Sequence, residues 1–188
     1  MHDGYVKVFD KVGRVLNEGL IRNHSSCCTT WIGYYLNGNK KFTRDSLSQN
    51  IGWEVDYYEN GQVKDSAFHI NDFDSLYAFK KWYEDGKIQE VIEWDKDNKV
   101  RIGTKYFSNG GVEKWYPYND GWINRQWYPN GQLHYEWINL QNGVVKEFYE
   151  TGELKAIAQM RMKIPFESRT FDKDGTLTAY YKDGERIK

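Results

Sequence analysis

The fold is decided by the stretch Trp127-Tyr128-Pro129-Asn130-Gly131-Gln132-Leu133, because its pattern returns along the whole chain. Counted from the glycine, the pattern is an aromatic residue, usually a second aromatic, two turn residues, glycine, any residue and an aliphatic residue. Glycines at this position recur every 21 to 25 residues: Gly13, Gly38, Gly61, Gly86, Gly110, Gly131, Gly152 and Gly175. Such a period indicates an array of structural repeats.

Each glycine lies in a predicted hairpin turn, because Asn-Gly or Asp-Gly between β-favouring residues is typical of hairpins. Pro129 suits the second position of a type I turn and Asn130 the third, with Gly131 left-handed as a bulge. A type I′ turn is the alternative. The bulged turn predicts six cross-strand pairs: Tyr57–Val63, Trp82–Ile88, Tyr106–Val112, Trp127–Leu133, Phe148–Leu154 and Phe171–Leu177.

A second series of turns is predicted about midway between the glycines, at 71–72, 97–98, 119–121, 141–143 and 163–165. The alternating turns predict an all-β fold: an elongated repeat array of β-hairpins forming a single antiparallel meander of roughly fifteen strands. We expect one domain spanning residues 1–188, with irregular N-terminal units over 1–50 and regular units over 51–188.

Composition narrows the classes of partner. The net charge is −1, with basic and acidic residues interspersed, so the sequence favours no nucleic-acid partner. The N-terminus lacks the layout of a signal peptide, and no apolar run is long enough to cross a membrane. We therefore expect a cytoplasmic protein without a membrane partner. The only cysteines, Cys27 and Cys28, are adjacent and form no disulfide framework.

The recurring unit, aromatic-aromatic-x-(Asn/Asp)-Gly-x-aliphatic, extends from Phe9 to about Gly184 and resembles the variant MORN repeat of bacterial proteins. It is similar in particular to the YwqK-like antitoxin family. The resemblance implies a non-enzymatic antitoxin or immunity protein that neutralises a cognate bacterial toxin by binding it directly. The N-terminal unit departs from the pattern, since Asp10 occupies the place of the second aromatic.

The second aromatic of each unit is the main candidate for a binding residue. These residues are Tyr35, Tyr58, Tyr83, Phe107, Tyr128, Tyr149 and Tyr181. Side chains alternate along a strand, so we expect them on the face opposite Trp127 and its equivalents. They either contact a partner or cover the sheet and stiffen its turns. The regular central units predict protein binding by Tyr83, Phe107, Tyr128 and Tyr149.

No motif indicates an enzyme, a cofactor or a metal site. His24, Cys27 and Cys28 lack a fourth ligand nearby, and their spacing is not that of a zinc site. His2, His69 and His134 have no catalytic context. The alternative function is a glycan-binding or cell-wall-binding module, because repeats rich in Trp, Tyr and Gly, such as 121–128, resemble choline- and glucan-binding repeats.

Overall fold

A computed structural model describes residues 4–21, 29–48, 51–70, 76–95, 100–117, 123–139 and 141–188. These residues contain seventeen β-strands and no helix, so none of them forms a helix able to cross a membrane. The prediction of an all-β hairpin meander is confirmed. Contacts divide the chain into two compact units, residues 1–93 and 94–188. The single domain over 1–188 stays a prediction.

Sequential strands pair antiparallel within each unit. The strands that begin in the first unit are β1 (Gly4–Phe9), β2 (Val15–Ile21), β3 (Thr29–Tyr34), β4 (Lys40–Ser48), β5 (Ile51–Tyr57), β6 (Val63–His69), β7 (Leu76–Trp82) and β8 (Ile88–Asp95).

The second unit continues the same alternation of strand and turn, again with antiparallel pairs. Its strands are β9 (Val100–Tyr106), β10 (Val112–Pro117), β11 (Asn124–Trp127), β12 (Leu133–Ile138), β13 (Val144–Phe148), β14 (Leu154–Arg161), β15 (Ile164–Phe171), β16 (Leu177–Lys182) and β17 (Glu185–Arg186).

All six predicted cross-strand pairs are present. Gly131 has a φ of 87°, in the left-handed region that favours glycine, whereas Asn130 has no positive φ. This combination is the type I turn with a glycine bulge and excludes type I′, which needs positive φ at both residues. The turn geometry predicted from Pro129 is therefore confirmed.

Every aromatic–glycine hairpin also contains a second irregularity that the sequence pattern did not predict. Trp127 pairs with Leu133, but the preceding Gln126 pairs with Tyr135, which leaves His134 as an extra residue. The register shifts at the same place in the other seven hairpins. A β-bulge of this kind bends its strand and increases the local twist.

The sheet buries few side chains completely, as the mean hydropathy of −0.84 leads one to expect. Among the described residues, the buried hydrophobic side chains are Ala67 and Ile92. Aromatic rings also cover glycines on neighbouring strands. A Cβ built on Gly33 would lie 2.3 Å from the ring of Phe42, its cross-strand partner, so this close contact requires glycine.

The midway turns are confirmed in part. Residues 141–143 form a turn as predicted, but the turn predicted at 163–165 lies earlier, at Met162–Lys163, and β15 already begins at Ile164. Pro165 suggested the later position, yet it lies within the strand. The predicted turns at 71–72, 97–98 and 119–121 lie outside the described residues.

Candidate functional site

The second aromatic of each repeat closes its turn through backbone hydrogen bonds. The amide of Tyr128 donates to the carbonyl oxygen of Gln132 at 2.8 Å, and the amide of Gly131 donates to the carbonyl oxygen of Tyr128 at 2.9 Å. Tyr128 directly follows Trp127, the last residue of β11, so alternation of side chains directs its ring to the opposite face. The turn thus fixes the backbone position from which each of these rings projects.

The hydroxyls of four of these tyrosines join their repeat to the following one. The hydroxyl of Tyr128 donates to the carbonyl oxygen of Phe148 at 3.0 Å, and that of Tyr149 donates to the carbonyl oxygen of Phe171 at 2.9 Å. We call this series the hydroxyl ladder; its first-unit members are Tyr35 to Tyr57 (2.7 Å) and Tyr58 to Trp82 (2.8 Å). In each case the acceptor is the first aromatic of the following repeat.

Asparagines in the turns form a parallel series of bonds, the amide ladder. The Asn130 side-chain Nδ2 donates to the carbonyl oxygen of Glu150 at 3.0 Å, and Asn109 bonds Pro129 in the same way at 3.2 Å. Asn37 and Glu59 repeat the contact in the first unit, at 3.0 Å. These residues therefore hold neighbouring turns together, in addition to shaping their own.

The four predicted binding residues, Tyr83, Phe107, Tyr128 and Tyr149, all hold the turn-closing position and are half-buried. Phe107 has no hydroxyl and cannot donate to the ladder. The structural role of the tyrosines is thus supported, and their contact with a partner stays a prediction. Tyr181 differs, because it is 40% exposed and lies within β16, where it pairs with Arg186 across the Asp183–Gly184 turn and does not itself close the turn.

Beside Tyr128 lies a group of rings that sequence reasoning missed, which we call the aromatic cluster. The ring centroid of His134 lies 4.1 Å from that of Tyr128 and 4.0 Å from that of Tyr135. Tyr135 stacks on Trp137 at 5.4 Å. Desolvation lowers the pKa of His134, which favours a neutral ring. The bulge at His134 brings these rings together, and no residue type in the sequence indicates that a bulge occurs there.

The carboxylate of Glu147 borders this cluster. The Lys155 Nζ lies 2.6 Å from its Oε1 and also 5.9 Å from the centre of the Tyr149 ring. Desolvation, followed by a hydrogen bond with Glu147, raises the pKa of Tyr135. The tyrosine therefore remains protonated, and the ion pair balances the local charge. The resulting surface is aromatic and close to neutral.

A separate group of exposed rings lies in the first unit. Trp53 packs against Phe68 with ring centroids 4.8 Å apart, and Phe68 meets Tyr77 edge to face at 6.1 Å. Trp53 is 45% exposed and Tyr77 is 37% exposed. Trp53 lies four residues before Tyr57 in β5, so the two side chains share one face, which is the face of the first aromatics. This face of the first unit therefore exposes aromatic surface.

The most perturbed ionisable groups are arranged for structure. The hydroxyl of Tyr34 donates to Glu18, whose other oxygen lies 3.0 Å from the Lys7 Nζ. The Tyr34 hydrogen bond, followed by that of Lys7, lowers the pKa of Glu18 to about 2, while the same bond raises the pKa of Tyr34 to about 12. Both groups therefore keep one protonation state at neutral pH and are poorly suited to proton transfer.

These groups line an open cleft of about 440 Å³, together with Arg14 and Leu36. Within the described ranges, no three His, Cys, Asp or Glu residues could hold a metal ion. The candidates His24, Cys27 and Cys28 lie outside those ranges. The arrangement offers ion pairs and aromatic surface, and its features suit binding better than catalysis.

A model of the MORN repeat variant matches three segments of the chain: residues 78–99, 123–139 and 141–161. These segments contain the turns closed by Tyr83, Tyr128 and Tyr149. Repeats of this kind are generally non-catalytic modules that bind proteins or membranes. The search of curated proteins found no match to the chain.

Proposed function

We propose that the chain is a non-enzymatic protein-binding repeat protein, which presents the rings of Tyr83, Phe107, Tyr128 and Tyr149 to its partner. The observation that carries this proposal is the hydroxyl ladder. Each tyrosine hydroxyl that bonds the next repeat holds its ring in place while the ring stays half-exposed. A ring that is already immobile loses little conformational entropy when a partner covers it.

The partner that we propose is a bacterial toxin, which the chain neutralises in the cytoplasm as an antitoxin or immunity protein. Two features support this. The repeat pattern resembles the YwqK-like antitoxin family, and inhibition by direct binding needs contact area and no catalytic group. Many charged side chains of the sheet are already paired, such as Arg125 with Glu136 at 3.0 Å. Aromatic contact should therefore dominate affinity, and charges at the rim should tune selectivity.

The test uses three versions of the full chain: the wild type, a variant with Tyr83, Tyr128 and Tyr149 changed to Phe, and one with the same residues changed to Ala. Each is co-expressed with a toxin-like neighbouring gene, and growth is measured. We expect the wild type to restore growth fully and the Phe variant to restore it in part, because the Phe variant keeps the rings but loses the hydroxyl bonds that hold them. The Ala variant should fail.

Circular dichroism must first show that the Ala variant retains its β-structure. A folded Ala variant that restores growth as well as the wild type would place the binding surface elsewhere. Purified chain that captures no protein, but is retained on a polysaccharide or choline resin, would instead support the glycan-binding alternative.

A further inference from the structure

A row of side chains on the first unit places a carboxylate next to the exposed rings. Asp45 in β4 lies directly opposite Trp53 in β5, which in turn lies opposite Phe68 in β6. Directly opposite residues share one face of a sheet, with their Cβ atoms about 4.5–5.5 Å apart. The carboxylate therefore borders the indole ring, and the rings of Phe68 and Tyr77 continue the row. We call Asp45, Trp53, Phe68 and Tyr77 the acidic–aromatic row.

The charge of Asp45 is not balanced by a cation. Its Oδ1 atom accepts a hydrogen bond from the Thr30 hydroxyl at 2.9 Å, and among the described residues its carboxylate makes no ion pair. The adjacent Arg44 lies on the opposite face, because side chains alternate along β4. The Arg44 Nη2 lies 2.9 Å from the Asp56 Oδ1, and its Nε lies 3.5 Å from the Glu54 Oε1. The acidic–aromatic row therefore carries a local negative charge beside an aromatic surface.

The Thr30 hydrogen bond also prepares the carboxylate for a ligand. An ionised carboxylate offers about four acceptor sites, and Thr30 occupies one of those of Asp45. The remaining sites can accept from a donor on a partner. Because Thr30 already orients the carboxylate, little conformational entropy is lost when a partner binds it.

A guanidinium group fits this arrangement better than other cations do. It is planar, so it can stack on the indole ring while its N–H groups donate to the carboxylate beside the ring. Trp53 is almost half exposed, so the row is an open surface. Quaternary ammonium groups cannot donate a hydrogen bond and are recognised in enclosing aromatic cages. The lysine ammonium is compact and strongly hydrated, and does not stack as a plane.

We propose that the acidic–aromatic row binds an arginine side chain of the partner protein, with the guanidinium stacked on Trp53 and paired with Asp45. This inference rests on the proposed protein-binding function and adds a contact on the face opposite the second aromatics. Opposite charge attracts and orients the arginine, and the rings supply the apolar contact area. The pairing of arginine with an aromatic ring is typical of binding hot spots.

Titration of the full chain with short peptides tests the inference. Fluorotryptophan replaces tryptophan throughout, and Trp53→Phe identifies the fluorine NMR signal of Trp53. The probes are a capped Gly-Ser-Arg-Ser-Gly peptide and matched peptides with citrulline, lysine or trimethyllysine in place of arginine. We expect the arginine peptide to shift the Trp53 signal in a saturable way at millimolar concentration. The lysine peptide should bind more weakly, and the citrulline peptide, which is neutral and similar in shape, should cause no saturable shift.

The matched variants alter one carboxylate each. Asp45→Asn should weaken binding of the arginine peptide several-fold, because the amide oxygen still accepts from Thr30 while the negative charge is lost. Glu84→Gln removes a charge from an exposed turn of the same unit and should leave the affinity unchanged. Circular dichroism confirms that both variants keep their β-structure.

Several results would reject the arginine contact: no saturable shift with the arginine peptide, an equal shift with citrulline, equal affinity for lysine, or an unchanged affinity in Asp45→Asn. Tighter binding of the trimethyllysine peptide would assign the row to a quaternary ammonium ligand instead. The growth assay separates this inference from the proposed function. A chain that restores growth without binding the arginine peptide would reject this contact alone. A chain that binds the peptide as expected without restoring growth would keep the arginine site and reject toxin neutralisation.

Discussion

The hydroxyl of Tyr128 donates a hydrogen bond to the carbonyl oxygen of Phe148, 3.0 Å away and 20 residues further along the chain. The contact joins two successive repeats and belongs to the interface between them. In repeat proteins, stability is approximately the sum of repeat and nearest-neighbour terms. Each member of the hydroxyl ladder should therefore contribute separately to the free energy of unfolding.

We expect Tyr128→Phe to lower the free energy of unfolding by about 0.5–1.5 kcal/mol, the usual net contribution of a hydrogen bond. Urea denaturation followed by tryptophan fluorescence measures the change. Tyr181→Phe is the control, because this ring is outside the ladder and 40% exposed. Equal losses in both variants would show that the ladder bond adds nothing.

Phe107→Tyr should have the opposite effect. Phe107 occupies the position of Tyr128 one repeat earlier, so a hydroxyl on its ring would point toward the carbonyl oxygen of Trp127. We expect a gain of about 0.5–1.5 kcal/mol in the free energy of unfolding. Thermal melting compares this variant with Phe171→Tyr, which alters a first aromatic. No gain over that control would mean that the ladder geometry does not extend to Phe107.

The turn glycine gives a third prediction. Gly131→Ala should lower stability by about 1–2 kcal/mol, because a Cβ is unfavourable in the left-handed conformation. A Cβ on Gly131 would meet no atom within 4 Å, so the loss reflects the dihedral angle and not a clash. Gly131→Asn should cost less, since Asn tolerates this conformation. A lower urea midpoint for Gly131→Asn than for Gly131→Ala would contradict the left-handed conformation of Gly131.

The pKa of Glu18 predicts a dependence of stability on pH. The pKa of Glu18 is about 2 in the folded chain, against an ordinary value of 4.5, so the unfolded chain binds the proton more readily. The stability that Glu18 contributes is therefore complete above pH 4.5 and is lost as the pH falls toward 2. In thermal melts between these two pH values, the stability of Glu18→Gln should fall less with decreasing pH than that of the wild type. Glu84→Gln, in an exposed turn, should follow the wild type.

Local chemistry explains why the hairpins could be predicted. Pro129 and Gly131 select one turn among few, and the turn then sets the register that pairs Trp127 with Leu133. The prediction depended only on residues close together in sequence, and the same motif recurs in each repeat. The position of the second aromatics followed from the same geometry.

Other features depend on residues that are distant in sequence or on backbone angles without a compositional signal. Alternation placed Tyr128 on its face, but could not identify Phe148 as the acceptor of its hydroxyl. Nothing in the sequence distinguished His134 as the bulged residue beside Tyr128. The strained turn at Met162–Lys163 was misplaced, because neither residue type favours positive φ.

The amide ladder has a consequence for the chemical ageing of the protein. Asn37, Asn109 and Asn130 each precede a glycine, the sequence in which asparagine deamidates most readily, and each donates its side-chain amide to the next turn. Asp85 shows that a carboxylate still completes the turn itself, since it accepts from the Lys87 amide at 3.0 Å. A carboxylate cannot donate, however. Where deamidation yields aspartate, stored protein should thus keep its hairpins while the amide-ladder bonds between them are lost, which peptide mapping alongside urea midpoints of aged samples would reveal.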